Sequence, residues 1–123
     1  MRVFIADDSV MVRDRLASLL SELTGVQVVG TAATCYDAFD SILDLKPDVA
    51  VLDMRMPGGS GYLLLEMVKK WLPQTKVIVL TNFSEKIYRE WCRDNGADYF
   101  FDKSKEFEKV PEVLQGLMAT TAS

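Results

Sequence analysis

Five polar side chains in this sequence follow short apolar runs that have the length and composition of buried strands. They are Asp7, Asp8, Asp53, Thr81 and Lys103. If the strands are parallel neighbours, their carboxyl ends meet at one edge of a sheet, where ligands bind in folds of this kind. The pattern therefore predicts a single site that contains three carboxylates, a hydroxyl and an ammonium group.

Three carboxylates at one site favour a bound cation. At about 4 Å and an effective dielectric constant near 20, each pair costs on the order of 4 kcal/mol, and Lys103 compensates only one charge. The sequence has no histidine, so the metal ligands are expected to be oxygens, which is typical of Mg²⁺. A metal ion, an ammonium and a hydroxyl around a carboxylate suit phosphoryl transfer with an aspartate as the nucleophile.

The elements that position these side chains alternate between strand and helix. Apolar runs predict strands over residues 3–6, 26–32, 49–52, 76–80 and 97–101. Helical spacing of apolar residues predicts helices over residues 9–23, 34–45, 60–72, 84–95 and 105–118, with Ser9, Thr34 and Ser84 as N-caps. The short connections predict an α/β fold, a doubly wound five-stranded parallel sheet in the order 2-1-3-4-5 with helices on both faces, as in flavodoxin-like proteins.

Composition narrows the class of protein further. A length of 123 residues suits one domain, and the net charge of −4 argues against direct nucleic acid binding, which needs clustered basic residues. Cys35 and Cys92 have no metal-binding or disulfide spacing and are expected to be reduced core thiols. The apolar runs are too short to span a membrane. We expect a cytoplasmic protein with a domain over residues 1–118 and a frayed tail over residues 119–123.

Over essentially its whole length the chain resembles the receiver domain of two-component response regulators. The matching residues are Asp7-Asp8, Asp53 followed by Met56-Pro57 and Gly61, Thr81, and Lys103. The resemblance implies a signalling phosphoprotein, in which Asp53 accepts a phosphoryl group from a partner histidine kinase or histidine phosphotransfer protein. It implies no enzymatic activity beyond self-phosphorylation and slow loss of the phosphoryl group.

The resemblance also implies a Mg²⁺ cofactor with a defined set of ligands. Asp8 and Asp53 bind the ion through their side chains, and the backbone carbonyl of Arg55 is a third protein ligand. Asp7 acts on the ion through water.

A conformational switch is the next implication. Lys103 contacts a phosphoryl oxygen, and Thr81 moves towards the phosphate. Phosphorylation adds roughly −1.5 to −2 charges and three acceptor oxygens, so the Thr81 hydroxyl gains a partner to which it can donate. Its movement makes room for an aromatic residue three positions before the lysine, which is Phe100, and so biases the surface of the fourth helix, fifth strand and fifth helix.

Four positions near the site depart from the commonest pattern of the family or vary within it. Ser104 follows Lys103 where many receivers have proline in a cis bond. A cis bond before serine costs about 3–4 kcal/mol, and the sequence leaves the isomer open. Arg55, Asn82 and Phe83 flank the phosphorylation site and are expected to tune the phosphoryl lifetime, in a direction that the sequence does not indicate.

Two sets of apolar residues are candidates for partner contacts. Val10 and Met11 lie beside the acidic pair in the first turn of the first helix, where a kinase would approach. Tyr88, Trp91 and Tyr99 make the end of the domain around the fourth helix and fifth strand aromatic, which suits a downstream protein partner. The alternative for both sets is ordinary packing or scattered surface exposure.

Three functions compete at this point. The first is a stand-alone receiver, weakly favoured by the short, unbasic tail. The second is a receiver fragment of a larger DNA-binding transcriptional regulator. The third is a phosphohydrolase of the haloacid-dehalogenase type with Asp53 as nucleophile, which is disfavoured because that class has a second acid where this chain has Arg55.

Overall fold

The computed structural model describes the backbone of residues 1–122 and the side chains of residues 1–120. Within that range strands and helices alternate along the chain, as predicted. The strands are β1 (Arg2–Ala6), β2 (Gln27–Ala32), β3 (Val49–Leu52), β4 (Lys76–Thr81) and β5 (Tyr99–Asp102). The helices are α1 (Val10–Ser21), α2 (Cys35–Leu45), α3 (Gly61–Trp71), α4 (Lys86–Asp94) and α5 (Lys109–Ala122).

The strands form one parallel sheet in the order β2-β1-β3-β4-β5, which confirms the predicted topology. The order reverses between β1 and β3, and Ala6 lies opposite Leu52 across that pair. The residues that follow, Asp7 and Asp53, therefore leave the sheet side by side. The register of two buried strands is what brings these two carboxylates together.

Helices cover both faces of the sheet and divide the core into two layers. Side chains alternate along each strand, so that Phe4 contributes to the layer under α2, α3 and α4 while Ile5 contributes to the layer under α1 and α5. All four residues of β3 are buried, as expected for a central strand covered on both faces. None of the described helices has the length and apolar character needed to cross a membrane.

The predicted N-cap of α4 is wrong. The helix begins at Lys86, its N-cap position is occupied by Glu85, and no side chain caps it. The hydroxyl of Ser84 instead donates a hydrogen bond to the carboxylate of Asp102, 18 residues away. A tertiary partner has replaced the local one that sequence reasoning assumed.

The boundaries of α5 also differ from the prediction. The helix begins at Lys109 rather than near residue 105, because the preceding residues form turns closed by hydrogen bonds to the carbonyl of Asp102. It continues through Ala122, so residues 119–122 of the predicted frayed tail are helical, and Ser123 lies outside the described residues. The Thr120 hydroxyl donates to the carbonyl of Gly116 within this last part of the helix.

Candidate functional site

The carboxyl edge of the sheet brings the three predicted aspartates together. One carboxylate oxygen from each of Asp7, Asp8 and Asp53 lies within 4.8 Å of the others. Asp7 and Asp53 are buried, whereas Asp8 is exposed and lines an open cleft of about 430 Å³ together with Arg55. The group is therefore closed on the side of the core and accessible on the side of the cleft.

Asp53 is held by the close packing of its loop against the start of α3. Its backbone N–H donates to the carbonyl of Ala6 at 2.9 Å, and its carboxylate accepts the backbone N–H of Arg55 at 3.3 Å. A side-chain Cβ at Gly61 would lie 2.4 Å from the carbonyl oxygen of Asp53, so only glycine fits there. Gly61 therefore allows the start of α3 to approach the loop that carries Asp53.

Hydrogen bonds hold both the side chain and the backbone of Asp7. Its carboxylate accepts the backbone N–H of Ser9, whose own hydroxyl caps α1. The guanidinium of Arg13 donates to the backbone carbonyl of Asp7 at 2.7 Å. Sequence reasoning did not single out Arg13, although it stands one helical turn inside α1 and faces the acidic pair.

Lys103 bridges two of the aspartates. Its ammonium nitrogen lies 2.6 Å from Asp7 Oδ2 and 3.1 Å from Asp53 Oδ2, and its backbone N–H donates to the carbonyl of Thr81 at 2.8 Å. The prediction that Lys103 stands beside the acids is thus matched by the geometry. The direct contact with Asp7 was not foreseen, because sequence reasoning related Asp7 to a metal through water.

The electrostatics of the site reflect an excess of negative charge. Burial raises the pKa of Asp53, the charge of Lys103 opposes this rise, and the charge of Asp7 adds to it. Burial alone would lower the pKa of Lys103, but its hydrogen bond to Asp7 and the charge of Asp53 outweigh burial and raise it. Lys103 is therefore protonated at neutral pH, and its single charge faces two buried carboxylates.

The donor set fits a hard divalent cation. All three converging side chains offer carboxylate oxygens, the ligands that Mg²⁺ prefers, and the exposed position of Asp8 leaves a route for the ion and its waters. A cation there would also compensate the charge that Lys103 leaves unbalanced.

The strand that carries Thr81 supplies the hydroxyl at the same edge. Thr81 is buried at the end of β4, and its hydroxyl accepts the backbone N–H of Phe83 at 3.2 Å. The guanidinium carbon of Arg55 lies 4.1 Å from the centroid of the Phe83 ring, a cation–π contact. Asn82, which precedes Phe83 in the chain, is exposed. Two of the three residues predicted to tune the phosphoryl lifetime thus contact each other.

Phe100 is nearly buried and is covered by a side chain from α4. The guanidinium of Arg89 stacks on its ring at 4.6 Å and donates to its backbone carbonyl at 3.1 Å. Arg89 also pairs with Glu106 at 3.5 Å. Arg89 thus connects Phe100 to α4, a contact that sequence reasoning missed.

The residues predicted to contact partners do not form one surface. Val10 and Met11 are 59% and 82% exposed beside Asp8. Tyr88 and Trp91 are half-buried and pack on the α4 side of the sheet, whereas Tyr99 packs on the opposite side. Tyr99 thus lies in a different layer from the two α4 residues, and its role in partner binding stays a prediction.

The peptide bond that follows Lys103 has the ordinary trans geometry. No cis peptide bond occurs among the described residues, so the bond between Lys103 and Ser104 is trans.

Asp102, the last residue of β5, is a further residue that sequence reasoning missed. Its carboxylate accepts hydrogen bonds from Ser84, Ser104 and Lys105. The available signal was its position, since Asp102 follows an apolar run just as Asp7 and Asp53 do.

Comparison with known protein families decides what kind of domain carries this site. A family model described as "Response regulator receiver domain" matches residues 3–115. The chain belongs to this family. The receiver domain is 33% identical over 121 residues to the oxygen regulatory protein NreC of Staphylococcus epidermidis, and the match covers 94% of this chain and 56% of NreC. The chain spans about half the length of the curated relatives it matches.

Solved receiver domains share the fold of this one. The response regulator domain of Thermotoga maritima CheB has a TM-score of 0.85 and 30% identity, with 100% of this chain and 97% of that chain covered. The isolated receiver domain of RcsB from Salmonella enterica serovar Typhimurium, solved with the phosphomimetic BeF3−, has a TM-score of 0.90 and 26% identity, covering 97% and 88%. These likenesses agree with the family assignment and with the observed strand order.

Proposed function

We propose that this receiver domain accepts a phosphoryl group on Asp53 from a histidine kinase or a histidine phosphotransfer protein. The observation that carries the proposal is the position of Asp53, with Lys103 Nζ 3.1 Å from its carboxylate and two further aspartates alongside. An oxygen of Asp53 forms a bond to phosphorus as the bond from phosphorus to the donor's histidine nitrogen breaks. The imidazole leaves with that bonding electron pair.

Mg²⁺ is the cofactor that we propose for this step. The side chains of Asp8 and Asp53 and the backbone carbonyl of Arg55 would hold the ion, with Asp7 reached through water. When bound, the ion neutralises charge on the phosphoryl oxygens. The convergence of oxygen ligands on the accessible side of the site supports this assignment.

The protein's own residues receive the new group. The ammonium of Lys103 contacts one phosphoryl oxygen, and the hydroxyl of Thr81 donates to another. The hydroxyl already lies at the carboxyl edge and accepts a backbone N–H, so its donor hydrogen is available. Because Thr81 moves inward, the Phe100 ring can follow, and the Arg89 stack transmits that movement to α4.

We propose protein partners for both the input and the output. Exposed Val10 and Met11 beside the acids are suited to contact the kinase or phosphotransfer protein. Tyr88 and Trp91 on α4 are the candidates for a downstream partner, and Tyr99 is a separate candidate on the other face. The contact of Arg55 with Phe83 lies next to Asp53, which supports a role for these two residues and Asn82 in setting the phosphoryl lifetime.

The wider setting of the domain is also a proposal. We expect a cytoplasmic signalling domain with no catalytic activity beyond gain and slow loss of its own phosphoryl group. Since the chain spans only about half of NreC, a receiver that forms part of a larger transcriptional regulator is the second candidate. In that case DNA binding would reside outside residues 1–123.

Incubation with acetyl phosphate and Mg²⁺ tests the proposal. Intact-protein mass spectrometry is expected to show the addition of one phosphoryl group, which Asp53→Asn and excess EDTA both abolish. Asp40→Asn, which changes an exposed carboxylate on α2, is the matched control and is expected to behave as wild type. Modification that survives in Asp53→Asn would contradict the assignment, and rapid turnover of a simple phosphoester would favour the phosphohydrolase instead.

A further inference from the structure

The carboxylate of Asp102 connects two loops at the edge of the site. Its Oδ1 accepts the backbone N–H of Ser104 at 2.8 Å, the hydroxyl of Ser104 at 2.6 Å and the backbone N–H of Lys105 at 3.1 Å. Its Oδ2 accepts the hydroxyl of Ser84 at 2.5 Å. One oxygen thus organises the loop after β5, and the other binds the loop after β4.

These are the two loops that carry groups for the phosphoryl ligand. Lys103 lies directly after Asp102, and Thr81 lies opposite Asp102 in the β4–β5 register. Ser84 follows Thr81 by three residues. The bond from Ser84 to Asp102 therefore adds a side-chain link to the backbone bond from Lys103 to the Thr81 carbonyl, between the segment that presents the hydroxyl and the segment that presents the ammonium.

The link does not serve the local structure of α4. Ser84 precedes the N-cap residue Glu85, and no side chain caps the helix, so the Ser84 hydroxyl is used for the tertiary contact with Asp102. Hydrogen bonds to an ionised carboxylate are stronger than neutral ones. In agreement, the hydrogen bonds from Ser104 and then from Ser84 hold the pKa of Asp102 well below its usual range, so the carboxylate is ionised at neutral pH.

We propose that Asp102 is a positioning residue for phosphoryl transfer to Asp53, and that it acts through Ser84 to hold Lys103 and Thr81 at a fixed separation. This inference rests on the proposed function of Asp53. Lys103 and Thr81 must contact two oxygens of one phosphoryl group, and small errors in the placement of such groups lower reaction rates steeply.

The test measures the rate constant for phosphorylation by acetyl phosphate at saturating Mg²⁺, followed by intact-protein mass spectrometry. Ser84→Ala removes the link while leaving the carboxylate in place, and we expect a rate about tenfold lower than wild type. Ser84→Thr keeps the hydroxyl and is expected to restore most of the wild-type rate.

A double mutant identifies the partner of Ser84. Asp102→Ala removes the acceptor for this hydroxyl, and the double variant is expected to be no slower than the slower single variant, because both changes break the same link. Ser104→Ala is the matched control. It deletes a hydroxyl from the same carboxylate but leaves the link to Ser84 intact, so its rate is expected to stay within about twofold of wild type.

The dissociation constant for Mg²⁺, measured by calorimetry, separates positioning from general damage. Ser84→Ala is expected to bind Mg²⁺ as wild type does, since the aspartate ligands lie on other loops. Wild-type phosphorylation of Ser84→Ala, multiplied effects in the double variant, or an equal loss of Mg²⁺ affinity would each overturn the inference while leaving Asp53 as acceptor. Absence of phosphorylation in the wild-type protein would overturn the proposed function as well.

Discussion

Two buried carboxylates compete for one ammonium at the centre of this domain. Asp7 and Asp53 both contact Lys103, and neither has another cation within ion-pair distance among the described residues. Removing charges from water costs free energy that one ion pair repays only in part. The folded state therefore carries an electrostatic cost at this site, which a bound cation would reduce.

Asp53→Asn is expected to make the metal-free protein more stable at pH 7, by on the order of 1 kcal/mol. Burial raises the pKa of Asp53 above the ordinary value of 3.8 that the unfolded chain has. Above the raised pKa the carboxylate is charged in both states, and its charge disfavours the folded one. Below about pH 3.8 it is protonated in both states, so the penalty is absent and the advantage of the variant disappears.

Urea unfolding of wild type and Asp53→Asn in EDTA, at pH 7 and across the acid range, measures whether the variant is more stable and where its advantage disappears. Asp40→Asn serves as the control and is expected to change stability by less than about 0.5 kcal/mol, since the residue is exposed. A less stable Asp53→Asn at pH 7 would show that the ion pair with Lys103 outweighs the burial of the acid.

At the scale of the elements, the site depends on how closely α3 approaches the loop after β3. Gly61 is the first residue of α3, and its backbone N–H donates to the carbonyl of Met54. No side chain fits between the helix and that loop. The position of Asp53 is therefore determined by a backbone contact rather than by its own side-chain bonds alone.

Gly61→Ala is expected to destabilise the domain by about 1–3 kcal/mol, because the added methyl group overlaps the carbonyl of Asp53 and forces the loop to shift. Gly116→Ala is the matched control. Nothing lies within 4 Å of a Cβ placed at Gly116 in α5, so this change is expected to stabilise the domain by up to about 1 kcal/mol through helix propensity. Urea unfolding of the two variants measures both effects, and equal effects would contradict the close approach at Gly61.

Sequence reasoning succeeded where burial patterns repeat along an element. The apolar runs predicted the strands, the short connections predicted the sheet order, and the carboxyl edge then followed for Asp7, Asp53 and Lys103. It failed where a side chain had two possible partners. Serine is a residue type that favours helix N-caps. In the folded chain, however, the Ser84 hydroxyl donates to Asp102, a partner that is close only after folding.

On the scale of the whole molecule, the acidic group exists only in the folded chain. Asp8 and Asp53 are 45 residues apart in sequence, and the pairing of β1 with β3 brings them together. An ion that needs both residues therefore binds the folded state and has little affinity for the unfolded one. By linkage, such an ion stabilises the entire domain.

Addition of Mg²⁺ is expected to raise the free energy of unfolding by about 2.7 kcal/mol at a concentration one hundred times the dissociation constant. Differential scanning calorimetry with and without Mg²⁺ measures the effect, with NaCl of equal ionic strength as the control for screening. Asp8→Asn is expected to lose most of the stabilisation. An equal response to NaCl would mean that Mg²⁺ acts through screening alone and not through a bound ion.

The position of β5 at the edge of the sheet has a consequence for the biosynthesis of the domain. A ribosome releases the chain from its N-terminus, so β1, β2, β3 and β4 can associate before β5 leaves the exit tunnel. Until then the clustered acids have no lysine beside them and repel one another. Docking of β5 at the edge of the sheet delivers Lys103, so the electrostatic gain of the site depends on that docking step.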